Sequence, residues 1–209
     1  RAVFLADGPS DEPLGDHLEA MCAERGSPIR ITTPDLRRLP RPPGLKVEDR
    51  LRAVFEMGNN YEIIFVHRDA EKQNPRDRYS EVEAAVHRVR PALPWVAVVP
   101  VRMTEAWLLL DEREIRQVAG RPRGTNSLAL PAPNRVEREP NPKLILQGAL
   151  EQASGLKGRK MKQFKRRFGE HRRLLVARMD IHGPVRRLEA WQALEGSVDR
   201  ALAQLPESI

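Results

Sequence analysis

Five acidic residues follow three apolar runs of the sequence, close to the points where those runs end. If the runs are strands of one parallel sheet, their carboxyl ends meet at one edge, where ligands bind in such sheets. Carboxylates gathered there repel one another unless a cation is bound. Mg²⁺ takes oxygen ligands and keeps positions for water and for substrate phosphate oxygens. The candidate ligands of Mg²⁺ or Mn²⁺ are Asp7, Asp11, Asp69, Glu71 and Glu105.

Divalent ions held by carboxylates can activate water for attack on a phosphodiester bond. They orient the water, lower its pKa and stabilise the charge that develops on the phosphate. The acids therefore indicate hydrolysis of a nucleic acid, provided that another part of the chain holds the polyanion.

The last third of the chain carries the positive charge that such a substrate needs. The net charge is +7, yet residues 1–140 hold 22 basic and 22 acidic residues, against 14 and 7 in residues 141–209. Within 155–178, Glu170 is the single acid among ten cations. Such cations contact phosphates and position a substrate without reading its sequence. The candidate nucleic-acid contacts are Lys157, Arg159, Lys160, Lys162, Lys165, Arg166, Arg167, Arg172 and Arg173.

The pattern of apolar residues predicts the elements that position the acids. Runs at 2–6, 29–33, 61–67 and 95–101 have strand length, and segments of helical periodicity lie near 14–22, 47–57 and 80–89. Alternating strands and helices indicate an α/β fold with a parallel sheet of about four core strands, flanked by helices.

The chain divides into three regions in this interpretation. Residues 1–111 form the metal-binding core, 112–141 an irregular excursion rich in Pro and Gly, and 142–209 a basic helical extension packed on the core. A chain of 209 residues suits one domain with an appendage.

Composition excludes several classes of protein. The chain has 40% hydrophobic and 31% charged residues and a mean hydropathy of −0.55. No run of apolar residues is long enough to span a membrane. The single cysteine, Cys22, excludes an internal disulfide and a cysteine-based metal site. No signal-like segment precedes the first strand, so we expect a cytoplasmic protein.

The motifs around the acids resemble a known family. The stretch Asp7-Gly8-Pro9-Ser10-Asp11-Glu12, the group Asp69-Ala70-Glu71 and the later Glu105 resemble the Toprim domain of topoisomerases, bacterial primases and overcoming-lysogenization-defect nucleases. With the stretch at 101–109 and the Lys-rich tail, the chain is similar to stand-alone Toprim-like proteins often found beside an ABC-type ATPase in bacterial defence loci. The motifs cover residues 1–111.

The resemblance implies a Toprim-like fold, a metal-dependent nuclease and an ATPase partner. It implies that Asp7 and Asp69 are catalytic and that the five acids hold metal. A lysine that follows the core supports the transition state in such enzymes, and either Lys143 or Lys160 is the candidate. The chain departs from the family at Asp7, where Glu is usual, and at Glu71, where Asp is usual.

Other interpretations of the same residues stay open. A core that has lost catalysis would bind nucleic acid or an ATPase without cutting, and primase-like nucleotidyl transfer uses the same carboxylates. Asp7 and Asp11 also suit a turn and a helix cap. His67, two residues before Asp69, is either a proton carrier or ligand, or a structural histidine.

Overall fold

The apolar runs form one four-stranded sheet in which every strand is parallel, as the sequence predicts. A computed structural model describes residues 1–206 and gives the strand order β2-β1-β3-β4. The first, third and fourth strands are therefore neighbours, and their carboxyl ends share an edge. The strands are β1 (Ala2–Leu5), β2 (Ile31–Thr32), β3 (Ile63–His67) and β4 (Trp95–Val98).

Helices cover both faces of the sheet, which explains why the strands are continuously apolar. Every residue of β1 and β3 is buried, as expected for parallel strands with both faces covered. The helices are α1 (Leu14–Glu24), α2 (Val47–Glu56), α3 (Pro75–Val89), α4 (Glu105–Leu108), α5 (Glu112–Val118), α6 (Pro142–Ser154), α7 (Gly158–Arg166), α8 (Phe168–Ala177) and α9 (Glu189–Leu202).

Alternation along the strands divides the apolar residues between two cores. Val3 and Leu5 of β1 face α2 and α3, whereas Phe4 packs with α1, α4 and the helices that follow. The larger core thus combines the sheet with the last third of the chain. Within it, Trp107 of α4 and Trp191 of α9 pack edge to face, with ring centroids 5.1 Å apart.

Several boundaries differ from those predicted. Helix α3 begins at Pro75 rather than near residue 80, because the side chain of Asn74 accepts a hydrogen bond from the Arg76 N–H (3.0 Å) and proline suits a first helical turn. Strand β2 has two residues. The cation-rich segment 155–178 forms two helices, α7 and α8, which meet at Arg167. No helix in residues 1–206 is long and apolar enough to cross a membrane.

Candidate functional site

The sheet brings three of the five predicted acids to one buried cluster. Asp11 follows β1, Asp69 follows β3, and Glu105 begins α4 after β4. Asp11 and Glu105 are buried, whereas the Asp69 side chain keeps 17% of its surface exposed. The neighbouring order of β1, β3 and β4 accounts for this meeting at the carboxyl edge.

A buried arginine from α8 lies between two of these acids. Arg172 Nε donates to Glu105 Oε1 at 2.9 Å, and Arg172 Nη2 donates to Asp11 Oδ1 at 2.7 Å. The third guanidinium nitrogen, Nη1, donates to the Ser10 hydroxyl. Although burial opposes it, the hydrogen bond to Asp11 and the charges of Asp11 and Glu105 raise the pKa of Arg172. Arg172 is therefore a permanent cation within the cluster.

Asp69 is held by groups other than Arg172. Its Oδ1 accepts from the Thr104 backbone N–H at 2.9 Å and from the Thr104 hydroxyl at 3.2 Å. The fully buried His67 places Nε2 3.0 Å from that hydroxyl and 3.4 Å from Asp69 Oδ1. Burial alone would raise the pKa of Asp69, but the hydrogen bond and charge of His67, with Arg172 and the Thr104 N–H, lower it.

His67 lies within the field of the carboxylates. Burial disfavours its charged form, yet Asp11, Asp69 and Asp7 outweigh that effect and raise the pKa of His67. The Asp7 backbone N–H points at His67 Nδ1 from 3.4 Å. This contact is long for a hydrogen bond, so it opposes protonation of the ring only weakly.

Asp7 lies beside the cluster and is paired elsewhere. Its Oδ1 accepts from Arg68 Nη1 at 2.6 Å, and Arg68 also lies 3.4 Å from Glu81 of α3. About a third of the Asp7 side chain is exposed. Asp7 is thus a neutralised carboxylate at the mouth of the site.

Glu71 does not join the other acids. Its side chain is 61% exposed, and the nearest cation is Arg78, 4.0 Å away. The backbone at Glu71 has φ of 53°, in the left-handed region, and its N–H donates to the Arg102 carbonyl. That turn breaks the alternation of the strand, so Glu71 does not share the direction of Asp69.

The donor set suits a hard cation, although the side chains do not converge on one. Within residues 1–206, no three His, Cys, Asp or Glu side chains lie close enough to hold a metal ion. Arg172 occupies the space between Asp11 and Glu105. However, Glu105 Oε2 is buried without a hydrogen-bond partner in the described part of the chain, and such an oxygen is costly to bury. Asp11, Asp69 and Glu105 together carry more negative charge than Arg172 neutralises.

Neither predicted catalytic lysine reaches the acids. Lys143 lies in the first turn of α6 and Lys160 in α7, and both are exposed. In residues 1–206, no hydrogen bond or ion pair joins either lysine to the acidic cluster. The cation beside the carboxylates is Arg172.

Helix α7 presents a cationic surface, as predicted, but the ten basic residues do not all belong to it. Arg172, a predicted nucleic-acid contact, is buried, and its guanidinium donates to Asp11 and Glu105. Arg173 is half exposed and donates to Glu12 at 2.6 Å. Five of the nine predicted nucleic-acid contacts are exposed and have no carboxylate within 4 Å in the described part of the chain: Lys157, Arg159, Lys160, Lys162 and Arg166. Lys165 and Arg167 pair with Glu151 and Glu170.

Sequence reasoning missed three contributors to the site. Arg172 lies 161 residues from Asp11, and no local pattern separates it from its cationic neighbours. Ser10 and Thr104 adjoin predicted acids and are the polar residues that hydrogen-bond within the cluster. The one signal in the sequence was the position of Ser10 and Thr104 next to predicted acids, since buried polar groups need partners.

Comparisons of the chain with protein-family models, with curated proteins and with solved structures found no match. The fold and the contacts define an α/β protein with a buried acidic cluster at the carboxyl edge of a four-stranded parallel sheet.

Proposed function

We propose that this chain is a metal-dependent nuclease of Toprim type that hydrolyses phosphodiester bonds in DNA or RNA. The observation that carries the proposal is the buried cluster of Asp11, Asp69 and Glu105 at the ends of three neighbouring strands. Gathering three carboxylates, two of them buried, costs free energy that folding alone does not require. A binding site for cations explains why they are retained together.

Asp11, Asp69 and Glu105 would hold Mg²⁺ or Mn²⁺. Glu105 Oε2, which has no hydrogen-bond partner in the described residues, would be available as a metal ligand. When bound, the ion would supply Lewis acidity and an activated water. The residues of the chain orient its ligands. Thr104 fixes Asp69 through two hydrogen bonds to Oδ1, and Arg172 fixes Asp11 and Glu105 while supplying a positive charge near a bound phosphate.

The cationic surface of α7 favours a polyanion as the substrate. Its free lysines and arginines would contact phosphates of either DNA or RNA, because such contacts carry no sequence information. The proposal includes the cytoplasmic location expected from the sequence and the ABC-type ATPase partner that the family resemblance implies.

Cleavage of supercoiled plasmid, single-stranded DNA and bulk tRNA by the purified chain tests the proposal. We expect cutting in Mg²⁺ or Mn²⁺, none in EDTA, and at least a hundredfold slower cutting by Asp69→Asn. Asp77→Asn, an acid in the first turn of α3, is the matched control and should cut like the wild type.

Circular dichroism spectra must show that both variants are folded. Undiminished cutting by folded Asp69→Asn would contradict the proposed site. Absence of cutting on all three substrates would contradict activity of the chain alone and would favour the second candidate.

The second candidate is a subunit that binds nucleic acid or an ATPase without cleaving it. Arg172 favours this function, because its guanidinium already satisfies Asp11 and Glu105 as a bound cation would. In that case Arg172 replaces the metal permanently. Titration calorimetry distinguishes the candidates: a nuclease binds Mn²⁺ and loses that binding in Asp69→Asn, whereas a subunit of the second kind binds no Mn²⁺ even when single-stranded DNA is present.

A further inference from the structure

A small cleft opens beside Asp7, between the loop after β1 and the loops after β2. Its volume is about 160 Å³, below the roughly 300–1,000 Å³ of pockets that bind drug-sized ligands. The cleft is therefore suited to a group smaller than a drug-sized ligand, such as a single nucleobase. It adjoins the acidic cluster but shares no lining residue with the buried contacts of Arg172.

One wall of the cleft is apolar and one side is cationic. Pro34, Pro42, Pro43 and Leu45 contribute the apolar surface. Leu45 is 89% exposed, so its side chain is accessible to a molecule bound in the cleft. Rigid proline rings and an exposed leucine offer flat contacts to the face of a base, as apolar side chains do in sites that enclose a single nucleobase.

Arg50 of α2 is a cationic hydrogen-bond donor in the lining of this cleft. One of its N–H groups donates to the Ala6 carbonyl, which fixes the guanidinium. No carboxylate lies within 4 Å of Arg50 among residues 1–206, although a guanidinium has five N–H donors. Burial lowers the pKa of Arg50, as expected for a cation without an ion-pair partner.

The other charged groups of the cleft already have partners. Arg37 donates from Nε and Nη2 to Asp35, at 2.7 and 2.9 Å. Glu12 accepts from Arg173, and Asp7 accepts from Arg68. A ligand that presents a hydrogen-bond acceptor to Arg50 therefore matches the cleft better than one that presents a donor.

We propose that the cleft binds the base of the nucleotide next to the cleaved bond, with Arg50 donating to a carbonyl oxygen of that base. This inference rests on the proposed nuclease function, and it gives that nuclease a preference for guanine and for the carbonyl-bearing pyrimidines over adenine. Arginine is a common partner of the guanine O6 carbonyl.

Inosine and adenosine 5′-monophosphate form a matched pair of probes. Their ribose and phosphate are identical. The bases differ on one edge, where inosine has a C6 carbonyl and an N1–H group and adenosine has a C6 amino group and an unprotonated N1. NMR titration of the full chain in EDTA should show about tenfold tighter binding of the inosine nucleotide, as one hydrogen bond to a charged donor predicts.

Variants on either side of the cleft make the assignment specific. Arg50→Met should remove the preference for inosine, whereas Arg52→Met, on the same helix but paired with Glu48, should keep it. Leu45→Asp should weaken the binding of both nucleotides by the same factor. Because Leu45 is exposed, the position should tolerate the substitution. It therefore tests the cleft even if Arg50→Met fails to fold.

Equal binding of the two nucleotides, absence of binding, or a preference that survives Arg50→Met would overturn the assignment. The titration requires no cleavage, so the two proposals can fail separately. Metal-dependent cutting without discrimination between the nucleotides leaves the nuclease and removes the base site. Tighter binding of the inosine nucleotide without cutting of any substrate leaves the base site and removes the nuclease.

Discussion

Arg172 determines the electrostatic balance of the acidic cluster. A buried ion pair seldom adds much stability over an apolar replacement, but removing one partner leaves a buried charge uncompensated. Here a single guanidinium contacts two buried carboxylates, Asp11 and Glu105. Removing Arg172 therefore leaves Asp11 and Glu105 without a counter-charge, so that they need another cation.

The variant Arg172→Met tests this demand. We expect a loss of about 3–5 kcal/mol in the free energy of unfolding in EDTA, because Asp11 and Glu105 lose their partner. Millimolar Mg²⁺ should restore part of the loss, since a ligand that binds the native state stabilises it. Urea denaturation with and without Mg²⁺ measures both effects.

Arg173→Met is the matched control for that variant. Arg173 is the next residue of α8, but its pair with Glu12 is half exposed, so its removal should cost less than about 1 kcal/mol and show no dependence on Mg²⁺. A loss in Arg172→Met no larger than the loss in Arg173→Met would contradict the role given to Arg172.

Cys22 provides a test of burial that does not depend on the acidic cluster. Its thiol lies in the larger core, and burial raises its pKa to about 11 from 9.0. The unfolded chain thus ionises Cys22 at lower pH than the native protein. The contribution of this thiol to stability is present below pH 9 and is lost as the pH rises toward 11.

The expected loss from Cys22 is roughly 1–2 kcal/mol between pH 9 and 11. Other groups also titrate in that range, so the measurement compares urea denaturation of the wild type and of Cys22→Ala at both pH values. The wild type should lose more stability than the variant over the interval. Parallel losses would show that the thiol is not protected.

The sequence predicted which acids lie near strand ends but not how their side chains are used. Asp11, Asp69 and Glu105 meet because β1, β3 and β4 are neighbours in the sheet. The alternation of strands and helices indicates a parallel sheet but not this strand order. Glu71 turns away because one left-handed residue changes the direction of the chain, and no residue type at that position signals it. Arg172 arrives from a distant helix, so only tertiary structure reveals it.

At the scale of elements, apolar periodicity located the four strands and helices α1 to α3 but not their ends. Helix α5 (Glu112–Val118), with Ile115 buried, lies in residues 112–141, which were predicted to be irregular. The missed first turn of α3 contains Pro75, Arg76 and Asp77, which are polar or break helices elsewhere, yet Asn74 caps them. The division between α7 and α8 lies in a run of cations with no apolar signal. Such boundaries depend on caps and on packing, which hydrophobic pattern does not encode.

The cations of α7 should contribute to nucleic-acid affinity as a group. Replacing Lys160 and Lys162 with Gln removes two free charges from a helix in which no residue is buried, so the fold should be unaffected. The affinity for single-stranded DNA should fall. The slope of log K against log salt should decrease in magnitude by about 0.7 for each phosphate that the variant no longer neutralises.

Fluorescence anisotropy at several salt concentrations gives that slope. Arg52→Gln with Arg88→Gln removes the same charge from cations that both pair with Glu48. This control should leave the slope unchanged. Equal effects of the two double variants would indicate that net charge, rather than the surface of α7, determines binding.

At the scale of the whole molecule, the last third of the chain completes the fold. The larger core extends from Ala2 of β1 to Ala201 of α9 and includes buried residues from α6 and α8. Composition suggested an appendage because the charge changes after residue 140. The burial of Trp191 against Trp107 shows that these helices also supply one covering layer of the sheet.

A fragment of residues 1–140 tests this dependence. Without α6 to α9, the face of the sheet that contains Phe4, Phe65 and Val98 would lose much of its cover, Trp107 would lose Trp191, and Asp11 and Glu105 would lose Arg172. Four apolar side chains of this size, each contributing about 1.5–3 kcal/mol when buried, together match much of the 5–15 kcal/mol by which domains are stable. The fragment should therefore show no cooperative thermal transition in near-ultraviolet circular dichroism, whereas residues 1–209 should unfold in one. A cooperative transition in the fragment would mean that the acidic core is a separate domain and that the basic helices are an addition to it.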